Sequence, residues 1–189
     1  MMKLNASIKN IANLRKLANE PKRLLVLFII IGVVLFLNTC TSTSESLQGV
    51  AARVIDGDTI TLIDKNEQSH KIRLFGIDAP ETNTNQPFGE EARAFLASKI
   101  EGKKVQIIVK TKSDKYGRVV GVVKFDGQDI NKKMVQEGYA WAYSYYTDAY
   151  TAEHNAARAQ QIGLWADDNS TNKPIEPYKW RKTHQKKGF

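Results

Sequence analysis

Short segments with a two-residue hydrophobic repeat dominate the chain between residues 49 and 125. Alternation of apolar and polar side chains is typical of a half-buried β-strand. It predicts strands in five segments, which are 50–54, 60–63, 71–74, 104–110 and 119–125. In the first strand, Val50, Ala52 and Val54 are expected to share one face. The second and third strands flank the polar loop 64–69, so they are expected to form an antiparallel hairpin.

A longer repeat predicts helices after the third strand and near the end of the chain. The first helix opens within Pro87–Glu91, and its expected buried face consists of Ala92, Phe95, Leu96 and Ile100. A second helix is expected over Ile130–Glu137, and a third, capped by Thr147 or Asp148, is expected to reach about Gln161. Five strands with one inserted helix and further helices at the end predict an α+β fold. The expected architecture is an OB-fold, a five-stranded Greek-key barrel packed with about three helices.

The N-terminal region has the pattern of a secretory signal. Leu24–Leu37 is apolar apart from Gly32, and it follows a basic segment that ends in Lys22 and Arg23. As a helix, this run would span about 21 Å, which is shorter than the roughly 30 Å hydrocarbon core of a membrane. The run therefore fits the apolar part of a signal peptide better than a full span. Its basic flank is expected to stay in the cytoplasm, which sends the following residues outward.

Cys40 is the only cysteine in the chain, which excludes an intrachain disulfide and a metal site built from several thiolates. It closes the apolar run in Leu37-Asn38-Thr39-Cys40, and this position resembles that of the lipidated cysteine of bacterial lipoproteins. Lipidation at Cys40, an uncleaved membrane anchor and a plainly secreted protein all stay open. Each of the three places the domain outside the cytoplasm, in the cell envelope or beyond it.

The predicted organisation has four parts, which are a signal or membrane anchor at 1–40, a flexible linker at 41–48, a folded domain at 49–168 and a basic tail at 169–189. A net charge of +8 by itself suggests a polyanionic partner. However, residues 1–23 hold six Lys or Arg and one Glu, and residues 178–189 hold five Lys or Arg and no acid. Residues 24–177 keep 17 basic and 19 acidic side chains, a net charge of −2, so their basic groups must act by placement. A solvated tail is expected by default, with contacts to the barrel, nucleic acid or lipid left open.

Three aspartates stand where the predicted hairpin brings its ends together. Asp56 and Asp58 flank Gly57 before the second strand, and Asp78 follows the third strand, so strand pairing brings Asp58 close to Asp78. Carboxylates without nearby His or Cys favour Ca²⁺ or Mg²⁺ over Zn²⁺. The spacing is not that of an EF-hand, so an ion here would leave positions for water and a phosphate oxygen. Taken alone, Asp-Gly-Asp-Thr is more typical of a plain turn.

Two arginines and one glutamate complete the candidate chemistry. A guanidinium can hold two phosphate oxygens, so Arg73 and Arg118, each beside a turn, are candidates to offset charge in a phosphorane-like transition state. Glu81 follows Asp78 by three residues and is a candidate to orient or deprotonate an attacking water. Considered singly, the arginines are more typical of a solvated strand face and Glu81 of a loop residue.

Five short motifs follow one another in a distinctive order and spacing. They are Ile55–Thr59, Arg73–Glu81, Asp114–Arg118, Gly138–Ala140 and Gly163–Trp165. In this order they resemble the thermonuclease (micrococcal nuclease) family over about residues 50–168, nearly the whole predicted domain. The resemblance implies an OB-fold phosphodiesterase that depends on Ca²⁺ and cuts DNA and RNA as a monomer. It also implies cleavage of the P–O5′ bond, which leaves 3′-phosphate ends.

The resemblance also assigns roles to single residues. The implied calcium ligands are Asp58, Asp78 and the backbone carbonyl of Ala79. The implied catalytic residues are Arg73, Glu81 and Arg118, with Glu81 as the general base and the arginines as phosphate clamps. The implied nucleotide-binding residues are Lys115, Tyr116, Tyr143 and Tyr145. Stacking on tyrosine rings tolerates any base, although the two later tyrosines are also typical of an ordinary core.

The sequence therefore predicts an extracytoplasmic hydrolase that degrades nucleic acid, either secreted or tethered to the membrane. A non-catalytic OB-fold module that binds nucleic acid is the alternative. The presence of Arg73, Glu81 and Arg118 together argues against it, because binding alone needs basic charge and no carboxylate facing the phosphate. A calcium-dependent structural module of the envelope is a third hypothesis, and it predicts that changing Arg118 leaves function unaltered.

Overall fold

The computed structural model of the protein describes residues 22, 25–26, 28–32, 45–166 and 175–184. The chain divides into two compact units, Met1–Thr43 and Ser44–Phe189. In the first unit the described residues are helical and exposed. Within the described ranges, no helix is both long enough and apolar enough to cross a membrane. The prediction for Cys40 lies outside the described residues, as does most of the predicted signal region.

The second unit is built on eight strands within its described residues. They are β1 (Ser46–Asp56), β2 (Thr59–Asp64), β3 (Ser69–Leu74), β4 (Ile77–Asp78), β5 (Lys104–Thr111), β6 (Val119–Phe125), β7 (Gln128–Asp129) and β8 (Trp141–Ala142). The predicted linker at 41–48 is wrong from Ser46 onward, because residues 46–50 already pair with β5. Leu47 packs against the core there, so burial of this side chain joins the polar segment to the sheet.

Five of these strands close into a barrel. β1 lies between β2 and β5, β2 pairs with β3, and β5 pairs with β6, all antiparallel. A parallel pairing of β3 with β6, in which Ile72 lies opposite Val119, closes the ring. The short strands β4 and β8 form a separate pair beside it. This closed five-stranded barrel with packed helices confirms the predicted OB-type, α+β fold class.

The inward face of β1 differs from the predicted one. Its pairing with β2 shifts register after Ala51, which is a β-bulge. Ala51 and Val54 are consequently buried, whereas Val50 is 40% exposed. An inserted residue reverses the side-chain alternation beyond it. The prediction that Val50, Ala52 and Val54 share one face is therefore wrong.

Four α-helices complete the described part of this unit. They are α1 (Gly89–Ile100), α2 (Ile130–Gln136), α3 (Thr151–Ala159) and α4 (Pro177–His184), with a 3₁₀ turn at Gly163–Trp165. The first two helices agree with the predicted segments. Neither Thr147 nor Asp148 caps α3, because the helix begins only after Tyr150, whose buried ring fixes the preceding chain in the core. The expectation of a solvated tail is wrong for residues 177–184, because they form α4, and Arg181 of this helix contacts Glu81.

A buried asparagine ties α2 to the barrel and to the segment that leads to β4. The Oδ1 of Asn131 accepts a hydrogen bond from the Val123 amide at 3.0 Å. Its Nδ2 donates to the carbonyl oxygens of Phe75 at 2.9 Å and Gly121 at 3.2 Å. Asn131 is fully buried, so these bonds are expected to be strong determinants of the local structure. They fix the chain three residues before Asp78.

Candidate functional site

The turn between β1 and β2 presents the first carboxylate of the site. Asp56 pairs with Thr59 across this turn, and the Oδ1 of Asp56 accepts a hydrogen bond from the Asp58 amide at 3.1 Å. The hydroxyl of Thr59 donates to Oδ1 of Asp58 at 2.9 Å. Asp58 is only 6% exposed. Asp56 therefore shapes the turn, and Asp58 is the carboxylate that it places in the interior.

The second carboxylate lies at the end of β4, against the first. Asp78 is fully buried. The amide of the next residue, Ala79, donates to Oδ2 of Asp58 at 2.9 Å. The predicted approach of Asp58 and Asp78 is thereby confirmed, and Ala79 joins them. A separation of twenty residues in the sequence is closed by pairing of β2 with β3.

Arg73 links the two carboxylates through one guanidinium group. Its Nη1 lies 2.9 Å from Oδ2 of Asp58, and its Nη2 lies 2.9 Å from Oδ1 of Asp78. Nη1 also donates to the Leu74 carbonyl oxygen at 3.2 Å. The side chain of Arg73 is only 14% exposed, so its charge acts in a partly desolvated setting. Arg73 is therefore part of the site rather than a residue of a solvated strand face.

Glu81 stands beside these groups on the loop before α1. Its amide donates to Oε1 of Gln86 at 3.0 Å, and its carbonyl oxygen accepts from the Gln86 amide at 3.0 Å. Gly89, the first residue of α1, lies directly against this backbone, because a Cβ there would be 2.9 Å from the Glu81 carbonyl oxygen. The backbone of Glu81 is thus held from two sides. Its carboxylate Oε1 accepts a hydrogen bond from Nη1 of Arg181 at 2.6 Å.

The carboxyl groups of the site are crowded, and their pKa values reflect this. Burial raises the pKa of Asp56 to about 8, and the neighbouring Asp58 carboxylate adds to the rise. Burial also raises the pKa of Asp78 to about 6; a hydrogen bond from Arg181 opposes that rise, and the charge of Asp58 reinforces it. Burial raises the pKa of Tyr143, with a further contribution from Asp78. Burial and mutual repulsion thus make the charged forms of these carboxyl groups costly, and a cation placed among them would favour those charged forms.

Arg118 is held in a separate turn and ion pair. Its Nη2 lies 2.8 Å from Oδ2 of Asp114, and Asp114 also accepts hydrogen bonds from the amides of Tyr116 and Arg118. The Arg118 guanidinium and the Lys115 ammonium both lie over the exposed Tyr116 ring, at 5.2 and 4.9 Å from its centroid. Among the described residues, no hydrogen bond or ion pair joins Arg118 to the two buried aspartates or to Glu81. Pairing of β6 with β3 nevertheless keeps the start of β6 beside Arg73.

The predicted tyrosines form a cluster that begins next to Asp78. The amide of Tyr143 donates to the Gly76 carbonyl oxygen at 2.8 Å, which places Tyr143 just after β8. Its ring centroid lies 5.5 Å from that of Tyr145, and Tyr145 lies 5.1 Å from Tyr178 of α4. Tyr145 is 60% exposed, so it is not an ordinary core residue. The cluster therefore offers an aromatic surface at the edge of the site.

The donor atoms fit a hard divalent cation that completes its shell from elsewhere. Across the described residues, no group of three or more His, Cys, Asp and Glu side chains is arranged to hold a metal ion. The candidate donors are instead the carboxylates of Asp58 and Asp78 and one carbonyl oxygen. Ala79 is only 3% exposed, and no described residue donates a hydrogen bond to its carbonyl oxygen. Oxygen donors of this kind suit Ca²⁺ or Mg²⁺.

Two residues of this site were missed by the sequence analysis. Gln86, which is 3% exposed, holds the Glu81 backbone and also donates to the Ile175 carbonyl oxygen. Arg181 contacts Asp78 and Glu81 from α4. A lone glutamine in a polar loop carries no recognisable pattern. The second residue lies in a basic segment about 100 positions away, where a cation is expected to face solvent.

Comparisons with known proteins agree with the resemblance found in the sequence. A family model described as "Staphylococcal nuclease homologue" matches residues 71–167. A Shigella flexneri protein named micrococcal nuclease is 43% identical over 148 residues, which cover 71% of this chain and 80% of that protein. An uncharacterized endonuclease of Haemophilus influenzae is 39% identical over 148 residues, covering 77% of this chain and 78% of its own. An uncharacterized endonuclease of Escherichia coli is 37% identical over 154 residues, covering 80% and 95% respectively. The chain belongs to the family of staphylococcal nuclease homologues.

Proposed function

We propose that the protein is a calcium-dependent endonuclease that cuts DNA and RNA and leaves 3′-phosphate ends. Membership of the family, together with 37–43% identity to relatives named as nucleases, makes it a nuclease and a hydrolase. One observation carries the finer proposal: Arg73 bridges two buried aspartates beside a fixed glutamate and a carbonyl oxygen to which no described residue donates a hydrogen bond. A binding module needs no such group of carboxylates near a phosphate.

The buried aspartates and Ala79 are the residues proposed to hold calcium. Asp58, Asp78 and the carbonyl oxygen of Ala79 supply few ligands, so the shell stays open for water and a phosphate oxygen. When bound there, a divalent cation would polarise the phosphate and stabilise the negative charge that develops on it. The chain's own contribution is to keep these donors close together and largely out of water. The polar contacts around Asp58 hold it in place before an ion arrives.

Glu81 is proposed to act as the general base. Its backbone is fixed by Gln86, and its side chain is 18% exposed, so the carboxylate is accessible to a water molecule at the site. Glu81 would remove a proton from a water that lies opposite the leaving 5′ oxygen, and this water would then attack phosphorus. The carboxylate would take up this proton. The P–O5′ bond then breaks, the 5′ oxygen leaves and takes a proton from solvent, and the phosphate stays on the 3′ side.

The remaining predicted residues are proposed to bind the phosphate and the nucleotide. Arg73, already partly desolvated, would stabilise the phosphorane-like transition state through its guanidinium group. Arg118 is proposed as a second clamp, which requires it to exchange its partner Asp114 for the substrate phosphate. Lys115 and Tyr116 are exposed beside it and suit a neighbouring phosphate. The other two predicted binding residues, on the segment after β8, would stack on bases of any sequence.

The test is cleavage of end-labelled DNA and RNA by the full-length chain, with calcium or with a calcium chelator. We expect cleavage of both substrates only with calcium, and products that lose a 3′-phosphate when treated with a phosphatase. Asp58→Asn should remove most of this activity, because it removes charge from the proposed calcium ligand. Asp126→Asn is the matched control, since Asp126 is exposed and asparagine tolerates its φ of 49°. Cleavage in the chelator, or 5′-phosphate ends, would contradict the proposal.

We further propose that the enzyme works outside the cytoplasm as a monomer. Support comes from the basic and apolar N-terminal pattern followed by Cys40. Incubation of producing cells with a radioactive fatty acid should label the wild type and not Cys40→Ser if Cys40 is lipidated. Fractionation of the same cells gives the location, and recovery of nuclease activity only from the cytoplasm would contradict it. Light scattering of the purified chain measures its oligomeric state.

A further inference from the structure

Helix α4 places a positive charge among the carboxylates of the proposed calcium site. Nη2 of Arg181 lies 2.9 Å from Oδ2 of Asp78, and Nη1 lies 3.1 Å from Oδ1 of the same residue. Nη1 also lies 2.6 Å from Oε1 of Glu81. This two-pronged contact is the geometry by which a guanidinium binds a carboxylate most tightly. One arginine thus engages a proposed metal ligand and the proposed general base at once.

Arg181 and a calcium ion would compete for the same carboxylate oxygens. Both oxygens of Asp78 accept hydrogen bonds from Arg181, and Oδ1 also accepts one from Arg73. A divalent cation at Asp78 would stand within a few ångströms of the Arg181 charge, where like charges repel strongly in a poorly solvated site. Glu81 likewise has one of its two carboxylate oxygens, Oε1, engaged by the guanidinium and less available to orient a water. Binding of calcium and the contacts of Arg181 therefore compete with each other.

Contacts outside the ion pairs also hold α4 against the site. The indole Nε1 of Trp180 donates to Oγ1 of Thr84 at 2.8 Å, on the loop that follows Glu81. Gln86, which fixes the Glu81 backbone, donates to the carbonyl oxygen of Ile175, just before the helix. Tyr178 lies against Tyr145, one of the predicted nucleotide-binding residues. The helix therefore contacts both the loop and a tyrosine that a bound nucleotide would use.

We infer that α4 is an internal inhibitor, in which Arg181 occupies the cation position of the proposed calcium site until calcium displaces it. This inference rests on the proposed function, because it takes Asp78 as a calcium ligand. Undocking of α4 frees both Asp78 and Glu81, and it also removes the contact of Tyr178 with Tyr145. Calcium would thus switch the enzyme on by opening the site as well as by joining it. Arg181 keeps its charge when it loses its carboxylate partners, so its guanidinium becomes available to the phosphates of the substrate.

The size of the effect follows from the docked fraction of α4. The apparent Kd of a ligand rises in proportion as the binding-competent state becomes rarer. If α4 is docked about nine-tenths of the time, calcium binds about tenfold more weakly than to an uncovered site. The Arg181 side chain is 32% exposed, which limits the strength of its ion pairs and keeps the exchange reversible. Removal of Arg181 should therefore tighten calcium binding about tenfold.

The first experiment measures calcium binding to the full-length chain by titration calorimetry without nucleic acid. Arg181→Ala should bind calcium about tenfold more tightly than the wild type. Lys179→Ala is the matched control, because it removes one positive charge from the same helix, where Lys179 is 68% exposed and pairs with Glu176. It should bind calcium as the wild type does. Equal or weaker binding by Arg181→Ala would overturn the inference, and an equal gain in Lys179→Ala would show a general charge effect instead.

The second experiment measures amide hydrogen exchange in residues 177–184 with calcium and with a chelator. Exchange in the wild type should be slow in the chelator and faster with calcium, since calcium releases the helix. Protection that persists with calcium bound would overturn the inference and make Arg181 a permanent part of the site. If the wild type cleaves DNA only with calcium, but the wild type and Arg181→Ala bind calcium equally tightly, the inference is refuted and the proposed function stands. If the wild type and both variants show no calcium-dependent cleavage, the proposed function is refuted. If none of the three binds calcium, the proposed function and the inference are both refuted.

Discussion

Gly57 offers a direct test of how the first turn and the calcium site are packed together. A Cβ added to Gly57 would lie 2.6 Å from the Cβ of Ala79 and 2.8 Å from the Cβ of Ala92. The φ of Gly57 is outside the left-handed region, so space rather than backbone conformation demands glycine here. Gly57→Ala therefore forces the turn, Ala79 or α1 to move. Ala79 is the residue whose amide binds Asp58 and whose carbonyl oxygen is proposed to bind calcium.

The magnitude follows from the overlap. Carbon atoms in contact normally stand about 3.5–4.0 Å apart, so the substitution requires a shift of about 1 Å. Overpacking of this kind costs about 1–3 kcal/mol. At about 2–4 °C per kcal/mol for a domain of this size, the melting temperature should fall by about 2–12 °C. A displacement of about 1 Å at a catalytic site also lowers the rate by on the order of 100-fold.

Two measurements are made on each variant. Thermal unfolding gives the melting temperature, and DNA cleavage with calcium is then measured on fresh protein at a temperature where the variant is folded. Gly102→Ala is the control, because Gly102 has a φ of +74° and open space around its Cβ position. Its cost should come from backbone conformation alone, about 1–2 kcal/mol, with cleavage unchanged. A Gly57→Ala variant with a rate within twofold of the wild type would refute the described contact between the turn and Ala79.

Two further substitutions test other parts of the structure. Arg73→Lys should lower kcat/KM for DNA on the order of 100-fold, because an ammonium lacks the planar, two-pronged geometry by which the guanidinium holds two oxygen atoms at once. The exposed Arg53→Lys should not change it, and a rate in Arg73→Lys equal to that of the wild type would show that the bridge is dispensable. The Gly121 carbonyl oxygen keeps a hydrogen bond from the Phe75 amide when Asn131 is removed. Asn131→Ala should still lower the free energy of unfolding by on the order of 3 kcal/mol, since it leaves the Val123 amide and the Phe75 carbonyl oxygen without this partner. Urea unfolding measures this loss, and a change below about 0.5 kcal/mol, the range of ordinary surface substitutions, would contradict it.

The hairpin and its paired aspartates could be predicted because they depend on local patterns. Alternation along β2 and β3 determines which side chains are buried, and strand pairing then brings Asp58 to Asp78. The face of β1 could not be predicted in the same way. A bulge inserts one residue without changing the composition of the strand, and it reverses every side chain beyond it.

The contacts of α4 depend on distant residues and had no sequence pattern to indicate them. Arg181 meets Asp78 across 103 positions, and Trp180 meets Thr84 across 96. Basic residues in a terminal segment are usually solvated. Arg181 binds here because the carboxylates of Asp78 and Glu81 converge on it. That convergence exists only once the chain has folded. The partner of Arg118, by contrast, is local, because Asp114 lies four residues before it. No described contact joins Arg118 to the paired aspartates.

Glu81 is the residue proposed to activate the attacking water beside the paired aspartates. The most direct measurement is the initial rate of DNA cleavage at saturating calcium for Glu81→Gln and for Glu90→Gln. Glu90 is 67% exposed and pairs with Arg93, so it controls for loss of one carboxylate near the start of α1. We predict that Glu81→Gln lowers the rate by about 10²–10⁴-fold with calcium binding retained, while Glu90→Gln keeps the wild-type rate. A Glu81→Gln rate close to that of the wild type would contradict the claim.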